Sequence, residues 1–305
     1  MGPPGLAITI QPEPAHAGLI KAICVAGGRR VPVGEAEVLV WMGEDAAELS
    51  SLLSGLPAVR WVQLPSAGVD TYLPCMCDRQ TWTRAQGVYG VPVAEHALML
   101  ALACLRGVAV SVRSRQWSPQ PSVALTGEDV LIVGGGSIAT ALLDLLNPFD
   151  VRATVLRCHP RSMAGAASVL PMPMLDEVLP CARVVFLCAP LTPQTDGLID
   201  AQRMRLMRSD ACLVNVARGR LVVTDDLVGC LSTGQITAAG LDVTDPEPLP
   251  SDHPLWRLPN CIITAHSAGE LGRCMPAFVQ LVENNIRRWR NGEQLIGQVD
   301  ITLGY

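Results

Sequence analysis

The chain has 305 residues, of which 49% are hydrophobic and only 17% are charged, a composition typical of globular proteins. Its 23 basic and 28 acidic residues give a net charge of −5, which argues against a protein dedicated to binding nucleic acid or an anionic membrane surface. A chain of this length is expected to form about two domains.

Cysteine usage and the N-terminus indicate the compartment. Eleven cysteines, an odd number without a CxxC pair, argue against a disulfide scaffold and against a zinc ribbon. The N-terminus, MGPPGLAITI, lacks the basic and long apolar regions of a signal peptide. The most apolar segment, VAEHALMLALACLRGVAV, contains Glu95, His96 and Arg106, so we expect a buried helix and no membrane span. These features predict a cytoplasmic protein without a metal site.

The first 90 residues alternate between strand and helix patterns. Three short runs rich in β-branched and aromatic residues are AITI (7–10), EAEVLVW (35–41) and VRWVQL (59–64). Between the last two, EDAAELSSLLSGL has apolar residues at helical spacing and a glycine near its end. A long apolar helix is then predicted from Pro92, which is tolerated in a first helical turn, to about Ser111.

From residue 129 onward the pattern becomes regular. Helical stretches, including 175–179, 200–207 and 225–232, separate six continuous apolar strands: DVLIVG, RATVLRC, RVVFLCAP, ACLVNVA, GQITAAGLDV and NCIITAH. Strands without polar alternation are typical of a parallel sheet covered on both faces, so we predict a doubly wound α/β domain.

The last segment, MPAFVQLVENNIRRWRNGE, is predicted to be an amphipathic helix that returns to the first domain. We therefore expect a smaller domain formed by 1–91 plus 275–305, with the sheet domain, 92–274, inserted in it.

The first strand of the regular block ends in VGGGSIA, in which Gly134, Gly136 and Ala139 fit the pattern GxGxxG/A. The first glycine permits a tight turn, the second lets backbone approach a pyrophosphate, and the third small residue lets helix and strand pack closely. The N–H groups that open the following helix, at Ser137 and Ile138, would then face the phosphates. The pattern predicts a dinucleotide site, with a glycine-rich turn that binds nothing as the alternative.

The second strand of this block indicates which dinucleotide is bound. It ends in VLRCHPR, where Arg157, His159 and Arg161 occupy the region in which NAD-binding proteins place an acidic residue. A carboxylate there would repel a 2′-phosphate, whereas guanidinium groups attract it. We therefore expect NADP in preference to NAD. The alternative is that these arginines are solvated surface residues.

Three ionisable residues lie at or near the ends of predicted strands, where ligands bind in such sheets. They are Arg218 in VNVARGR, Glu247 in LDVTDPEPLP and His266 in CIITAHSAG. Each of them alone has a structural explanation, but the three in this order favour a catalytic set. By contrast, His96, on the long apolar helix, is interpreted as a hydrogen-bonded core histidine.

The conjunction of these motifs resembles the D-isomer-specific 2-hydroxyacid dehydrogenase family. The resemblance implies a Rossmann cofactor domain inserted into a smaller, flavodoxin-like α/β substrate domain, a homodimer, and a small 2-keto or 2-hydroxy acid as substrate. The matching stretches are VAEHALMLALA (93–103), VGGGSIA (133–139), LCAPLTPQTDGLID (187–200), VNVARGR (214–220), AAGLDVTDPEPLP (238–250) and ITAHSAG (263–269).

The resemblance also implies roles for individual residues. His266 would exchange a proton with the substrate oxygen, and Glu247 would orient its imidazole and favour the charged form. Arg218 would hold the substrate carboxylate. The segment LPSAGVD (64–70) resembles the substrate loop of the family, with backbone N–H groups near Ala67 and Gly68, although an ordinary tight turn would look the same.

Further residues would line the cofactor pocket by the same resemblance. Asp242 would lie near the nicotinamide, or would simply cap a strand end. The whole implied set beyond the glycine motif and the basic residues is Ala189, Pro190, Val216, Asp242, His266 and Ala268. The predicted activity is NADPH-dependent 2-keto acid reduction. The alternative is a corepressor-like protein that senses NAD(P)(H) without turnover.

Overall fold

A computed structural model describes residues 5–117, 119–120 and 122–305. The chain divides into two compact units. The first unit comprises the chain up to Tyr89 together with Glu270–Tyr305, and the second unit comprises Gly90–Gly269. The sequence had suggested boundaries at 91/92 and 274/275.

The first unit is built on a parallel sheet of five strands in the order β2-β1-β3-β4-β5. This is the flavodoxin-like order, so the predicted class of this unit is confirmed. Its strands are β1 (Leu6–Gln11), β2 (Gly28–Arg30), β3 (Val38–Trp41), β4 (Trp61–Gln63) and β5 (Thr81–Thr83). Its helices are α1 (Ala17–Val25), α2 (Ala46–Ser54) and α9 (Leu271–Arg290), numbered along the whole chain.

The returning helix α9 completes the core of the first unit. It packs against α1, and Phe278, Val282 and Ile286 share one hydrophobic cluster with Ile8 and Ile10 of β1. The spacing of these three helix residues places them on one face, as the amphipathic pattern predicts. The helix begins at Leu271, a little earlier than the segment marked in the sequence.

The second unit contains a parallel sheet of seven strands in the order β12-β11-β10-β9-β6-β7-β8. The chain order reverses between β6 and β9, which is the switch point of a doubly wound sheet, so the Rossmann prediction is confirmed. The strands are β6 (Asp129–Val133), β7 (Arg152–Arg157), β8 (Ser168–Pro171), β9 (Val184–Leu187), β10 (Cys212–Asn215), β11 (Ala238–Leu241) and β12 (Cys261–Ile263).

The helix predicted over 92–111 is two helices in the structure, and this expectation was wrong. Gly107 separates them because it adopts a left-handed conformation, with φ of 60°, which glycine tolerates at no steric cost. The helices of the second unit are α3 (Gly90–Leu105), α4 (Val108–Arg113), α5 (Ser137–Leu146), α6 (Leu175–Val178), α7 (Ala201–Leu206) and α8 (Thr224–Thr233).

Two further properties of the described chain concern membrane crossing and the cysteines. In the described ranges, no helix combines the length and the apolar composition that crossing a membrane requires. All eleven cysteines are free thiols.

Candidate active site

Strand register brings the predicted catalytic residues to one edge of the second sheet. Asn215, the last residue of β10, pairs with Leu241 of β11, which in turn pairs with Ile263 of β12. Parallel strands in register end together, so the segments that follow them leave the sheet at the same edge. Arg218 and His266 each lie three residues beyond a strand end.

His266 and Glu247 form a close pair. The Nδ1 atom of His266 lies 2.6 Å from Oε1 of Glu247, and the two side chains are 50% and 41% exposed. The backbone of His266 is left-handed, with φ of 49°, and its N–H donates to the carbonyl of Asp242 at 2.8 Å. Because Glu247 engages Nδ1, the opposite ring nitrogen, Nε2, is the one that can exchange a proton with a reactant.

The loop that carries Arg218 is shaped by Asn215, which is 1% exposed. Its Nδ2 donates to the carbonyl of Arg218 at 2.8 Å, and its Oδ1 accepts from the N–H of Ala217 at 3.1 Å. The guanidinium of Arg218 donates to the carbonyl of Ala217 at 2.8 Å. Sequence reasoning missed Asn215 because an asparagine at the end of an apolar strand gives no signal of its own.

Gly219 allows the loop after β10 to pass against the loop after β11. A Cβ atom at Gly219 would overlap the carbonyl group of Thr244. Thr244 lies in the loop that contains Glu247, and its N–H donates to Oε2 of Glu247 at 3.4 Å. The two loops that bear Arg218 and Glu247 therefore touch through backbone, and only glycine fits at the contact.

Asp242 directly follows β11 and is 2% exposed. Its Oδ1 accepts from Thr264 Oγ1 at 2.6 Å and from the N–H of Ser267 at 3.0 Å, while its Oδ2 accepts from the N–H of Ala268 at 3.0 Å. These bonds have the geometry of a cap at the end of the sheet, which was one of the two interpretations of this residue. A contact between Asp242 and a nicotinamide stays a prediction.

The glycine motif lies at the switch point and has the shape of a phosphate cradle. Gly134 has φ of 111°, and a Cβ there would come within 2.6 Å of the carbonyl of Cys188, beyond β9. Around Gly136, by contrast, no described atom beyond its chain neighbours lies within 4 Å of such a Cβ. Helix α5 begins at Ser137, and no described side chain caps that end. Open space and helix N–H groups fit a pyrophosphate.

Arg157, the last residue of β7, lies against this glycine loop. A Cβ on Gly135 would come 2.9 Å from Cδ and 3.0 Å from Nε of Arg157. His159 and Arg161 follow it and are exposed. The structure therefore places one of the three predicted basic residues directly beside the candidate phosphate site.

The residues expected to line the cofactor pocket follow the ends of β9, β10 and β12. Ala189 and Val216 are each 6% exposed, and Ala268 is 8% exposed. Pro190 is exposed, and its carbonyl accepts from Thr195 Oγ1 at 2.7 Å. All four leave the sheet at the edge where the glycine motif lies. Their contacts with a cofactor stay predictions.

The candidate substrate loop follows β4 of the first unit. Ser66 Oγ donates to the carbonyl of Gly68 at 2.7 Å, and Arg84 Nη1 donates to the carbonyl of Ala67 at 3.3 Å. These bonds fix the backbone of the loop. The carboxylate-binding role of Ala67 and Gly68 stays a prediction.

Comparison with known proteins identifies the family. The family model described as D-isomer specific 2-hydroxyacid dehydrogenase, NAD binding domain, matches residues 97–268. An uncharacterized protein in the proB 3′ region of Corynebacterium melassecola is 36% identical over 255 residues, covering 81% of this chain and 84% of that protein. The human glyoxylate reductase/hydroxypyruvate reductase is 32% identical over 217 residues, covering 68% of this chain and 66% of the human protein.

A solved structure shows the same fold over the whole chain. It is a D-isomer specific 2-hydroxyacid dehydrogenase from Xanthobacter autotrophicus Py2 in complex with NADPH and MES, and it matches with a TM-score of 0.86 at 24% identity over 99% of this chain and 100% of that chain. The family match, the relatives and the fold agree with the motifs in the sequence. The chain belongs to the D-isomer specific 2-hydroxyacid dehydrogenase family and is an NAD(P)-dependent oxidoreductase of that class.

Proposed function

We propose that the protein reduces a small 2-keto acid to the 2-hydroxy acid with NADPH. The observation that carries this proposal is the pair formed by His266 and Glu247 at the same sheet edge as the Arg218 loop and the glycine motif. A nicotinamide cofactor, when bound, would supply a hydride to the keto carbon. The two electrons then reside in the new C–H bond, and the oxygen requires one proton.

His266 supplies that proton. Its Nε2–H donates to the keto oxygen as negative charge develops there, while Glu247 holds the opposite N–H and stabilises the imidazolium. In the oxidative direction the same nitrogen takes the proton from the hydroxyl group. General acid–base catalysis of this kind contributes roughly 10²–10⁴-fold to the rate.

Arg218 binds the substrate. Its guanidinium presents a planar fork of N–H donors that matches a carboxylate and also polarises the neighbouring keto oxygen. Asn215 fixes the backbone of the Arg218 loop, so the fork is held in place before substrate arrives. From the family resemblance alone, backbone N–H groups near Ala67 and Gly68 of the first unit are proposed to bind a substrate carboxylate.

NADPH is the proposed cofactor because of Arg157. Its side chain lies against the glycine loop, and the segment VLRCHPR offers no carboxylate for a ribose 2′-hydroxyl. A 2′-phosphate would meet Arg157 first, with His159 and Arg161 nearby in sequence. NAD is the alternative, and it requires these basic groups to remain solvated.

The proposed substrates are glyoxylate, hydroxypyruvate or a somewhat bulkier 2-keto acid, in keeping with the name of the human relative. The test is a steady-state assay of NADPH oxidation with a panel of 2-keto acids, repeated with NADH and with His266→Ala. We expect turnover of at least one acid, a higher kcat/KM with NADPH, and a loss of roughly 10³-fold in the variant. NADPH binding without turnover of any acid would favour the sensor, and an equal or higher kcat/KM with NADH would contradict the cofactor preference.

We also propose that the protein is a homodimer through the face formed by α3 and α4. Of the nine large hydrophobic residues exposed in the described part of the chain, five lie between Val91 and Trp117. Val112 is 74% exposed and Met99 is 43% exposed. Exposed apolar side chains concentrated in one stretch of the chain favour a surface that another chain covers. Light scattering should give a dimer for the native protein and a monomer for Met99→Asp combined with Val112→Asp.

A further inference from the structure

A hydrogen-bond network joins helix α3 to the segment that carries His266. The Nε2 atom of His96 lies 2.8 Å from Oγ1 of Thr264, although 168 residues separate the two along the chain. Thr264 Oγ1 donates to Oδ1 of Asp242 at 2.6 Å, and His96 Nε2 is itself 3.4 Å from that oxygen. All three residues belong to the second unit.

The direction of these bonds assigns the hydrogen on His96. Asp242 accepts from the N–H groups of Ser267 and Ala268 as well as from Thr264, so it acts as an acceptor in all three bonds. A hydroxyl group has a single hydrogen, and Thr264 uses it on Asp242. Thr264 Oγ1 must therefore accept from His96, whose Nε2 carries a hydrogen and directs it towards the buried carboxylate.

Asp242 in turn holds three consecutive residues. Its backbone carbonyl accepts from the N–H of His266 at 2.8 Å, and its carboxylate accepts from the N–H groups of Ser267 and Ala268 at 3.0 Å each. His266 needs such support because its φ of 49° is a conformation that non-glycine residues rarely adopt. A backbone in this region persists only where the surrounding structure fixes it.

We propose that His96 is a positioning residue for His266, acting through Thr264 and Asp242. The donors from His96 and Thr264 fix the rotamer of the Asp242 carboxylate, and the carboxylate fixes the backbone that aims the imidazole. Without them the carboxylate rotates, Ser267 and Ala268 lose their acceptor, and His266 relaxes away from its left-handed conformation. The catalytic part of this inference rests on the proposed function of His266 as the general acid.

The experiment compares disruptive and conservative variants at the two supporting positions. His96→Leu and Thr264→Val remove the hydrogen-bonding groups, whereas His96→Gln and Thr264→Ser retain them. Thr237→Val is the matched control, because Thr237 is exposed and precedes the opposite end of β11. Each full-length variant is examined by hydrogen exchange in peptides spanning 262–269, by thermal unfolding, and by kcat and KM with NADPH and the best 2-keto acid.

We expect His96→Leu and Thr264→Val to speed exchange of the Ser267 and Ala268 amides and to lower kcat about tenfold, with a smaller change in the KM for the 2-keto acid, whose carboxylate Arg218 would hold. His96→Gln and Thr264→Ser should restore most of the exchange protection and most of the kcat, and Thr237→Val should match the native protein in both. If a disruptive variant unfolds, its conservative partner is compared with the native protein and with Thr237→Val. A conservative variant with the amide exchange and the kcat of the control supports the proposal. A conservative variant with fast exchange and no measurable turnover opposes it.

Two results would overturn the inference. The first is native exchange at Ser267 and Ala268 in folded His96→Leu and Thr264→Val, which would mean that the network does not hold the segment. The second is faster exchange with unchanged kcat, which would separate the segment from catalysis. A native protein that reduces none of the 2-keto acids would defeat the proposed function, and exchange would still decide whether His96 holds the His266 segment.

Discussion

Nδ1 of His266 and Oε1 of Glu247 lie 2.6 Å apart across 19 residues of chain. The distance is that of a charge-assisted hydrogen bond, so the carboxylate orients the ring. Contact between the loops after β10 and β11, at Gly219 and Thr244, supports the position of Glu247. The pair therefore depends on backbone packing as well as on its own hydrogen bond.

Glu247→Gln should lower kcat by about 10²-fold. The amide preserves the size of the side chain and can bond to Nδ1, but it removes the negative charge that stabilises the imidazolium. Steady-state NADPH oxidation measures the effect, with Asp252→Asn as the control because Asp252 is an exposed carboxylate elsewhere in the same unit. A kcat for Glu247→Gln within twofold of the Asp252→Asn value would contradict the proposed role.

Gly219→Ala should reduce both stability and activity. The added Cβ would overlap the Thr244 carbonyl, so the two loops must separate, at an expected cost of about 1–3 kcal/mol in the free energy of unfolding. Gly229→Ala is the matched control, since no described atom would contact its Cβ and alanine favours the α8 helix. Urea unfolding and kcat measure the two effects, and equal stabilities would show that the loop contact is not fixed.

Arg157→Ala should weaken NADPH binding selectively. The loss of a charge-assisted hydrogen bond to the 2′-phosphate is expected to cost about 2 kcal/mol, or roughly thirtyfold in the KM for NADPH, with little change for NADH. Arg152→Ala is the control because Arg152 lies at the other end of β7 and pairs with Asp129. Equal increases in the KM for NADPH and the KM for NADH would indicate that Arg157 supports the glycine loop instead of selecting the phosphate.

Asn285→Leu should destabilise the first unit by about 2–4 kcal/mol. Asn285 is fully buried; its Nδ2 donates to Gln63 Oε1 at 3.1 Å, and its side chain bonds both the carbonyl and the N–H of Ile296. Leucine would remove the side-chain partners of the Ile296 backbone groups and one of the two donors to Gln63 Oε1. Thermal and urea unfolding should show the loss, whereas Asn284→Ala, at a partly exposed position of the same helix, should change stability by less than about 0.5 kcal/mol.

Thiol reactivity should separate buried from exposed cysteines. Burial raises the pKa of Cys212 and Cys261 to about 12 each, so their reactive thiolate forms only at higher pH than usual. Iodoacetamide at neutral to mildly alkaline pH should label the exposed Cys158 before these two, which stay unmodified until the protein unfolds. Peptide mass spectrometry measures the order, and equal labelling of Cys158 and Cys261 in folded protein would contradict it.

The strands that the sequence did not reveal share one property. β2 (GRR), β5 (TWT) and β8 (SVLP) all lie at edges of their sheets. A central parallel strand is covered on both faces and appears as a continuous apolar run, whereas an edge strand can be short and partly exposed. The central strands β9 and β10 are fully buried and were predicted from their apolar runs.

The candidate site, like the fold, could be predicted only in part. The order of Arg218, Glu247 and His266 along the chain could be matched to a family, and strand register then brings their segments to one edge. The supporting contacts depend on tertiary distances that spacing does not contain. His96 was interpreted as a hydrogen-bonded core histidine from its place on the apolar helix, and its partner Thr264, 168 residues away, could not be identified from spacing. Asp242 was predicted as a cofactor-pocket residue or a strand-end cap, whereas Gly219, beside Arg218, was not singled out.

The interrupted connectivity of the first unit has a consequence for how the chain is made. Residues 6–83 contain its whole sheet, yet Phe278, Val282 and Ile286 of its core belong to α9. During synthesis, the residues that form this sheet therefore leave the ribosome long before those of α9, the helix that covers one of its faces. The second unit has its entire sequence available by residue 269 and can fold while synthesis continues. During that interval the apolar face of β1 lacks the helix that covers it, and the first unit is completed after the second.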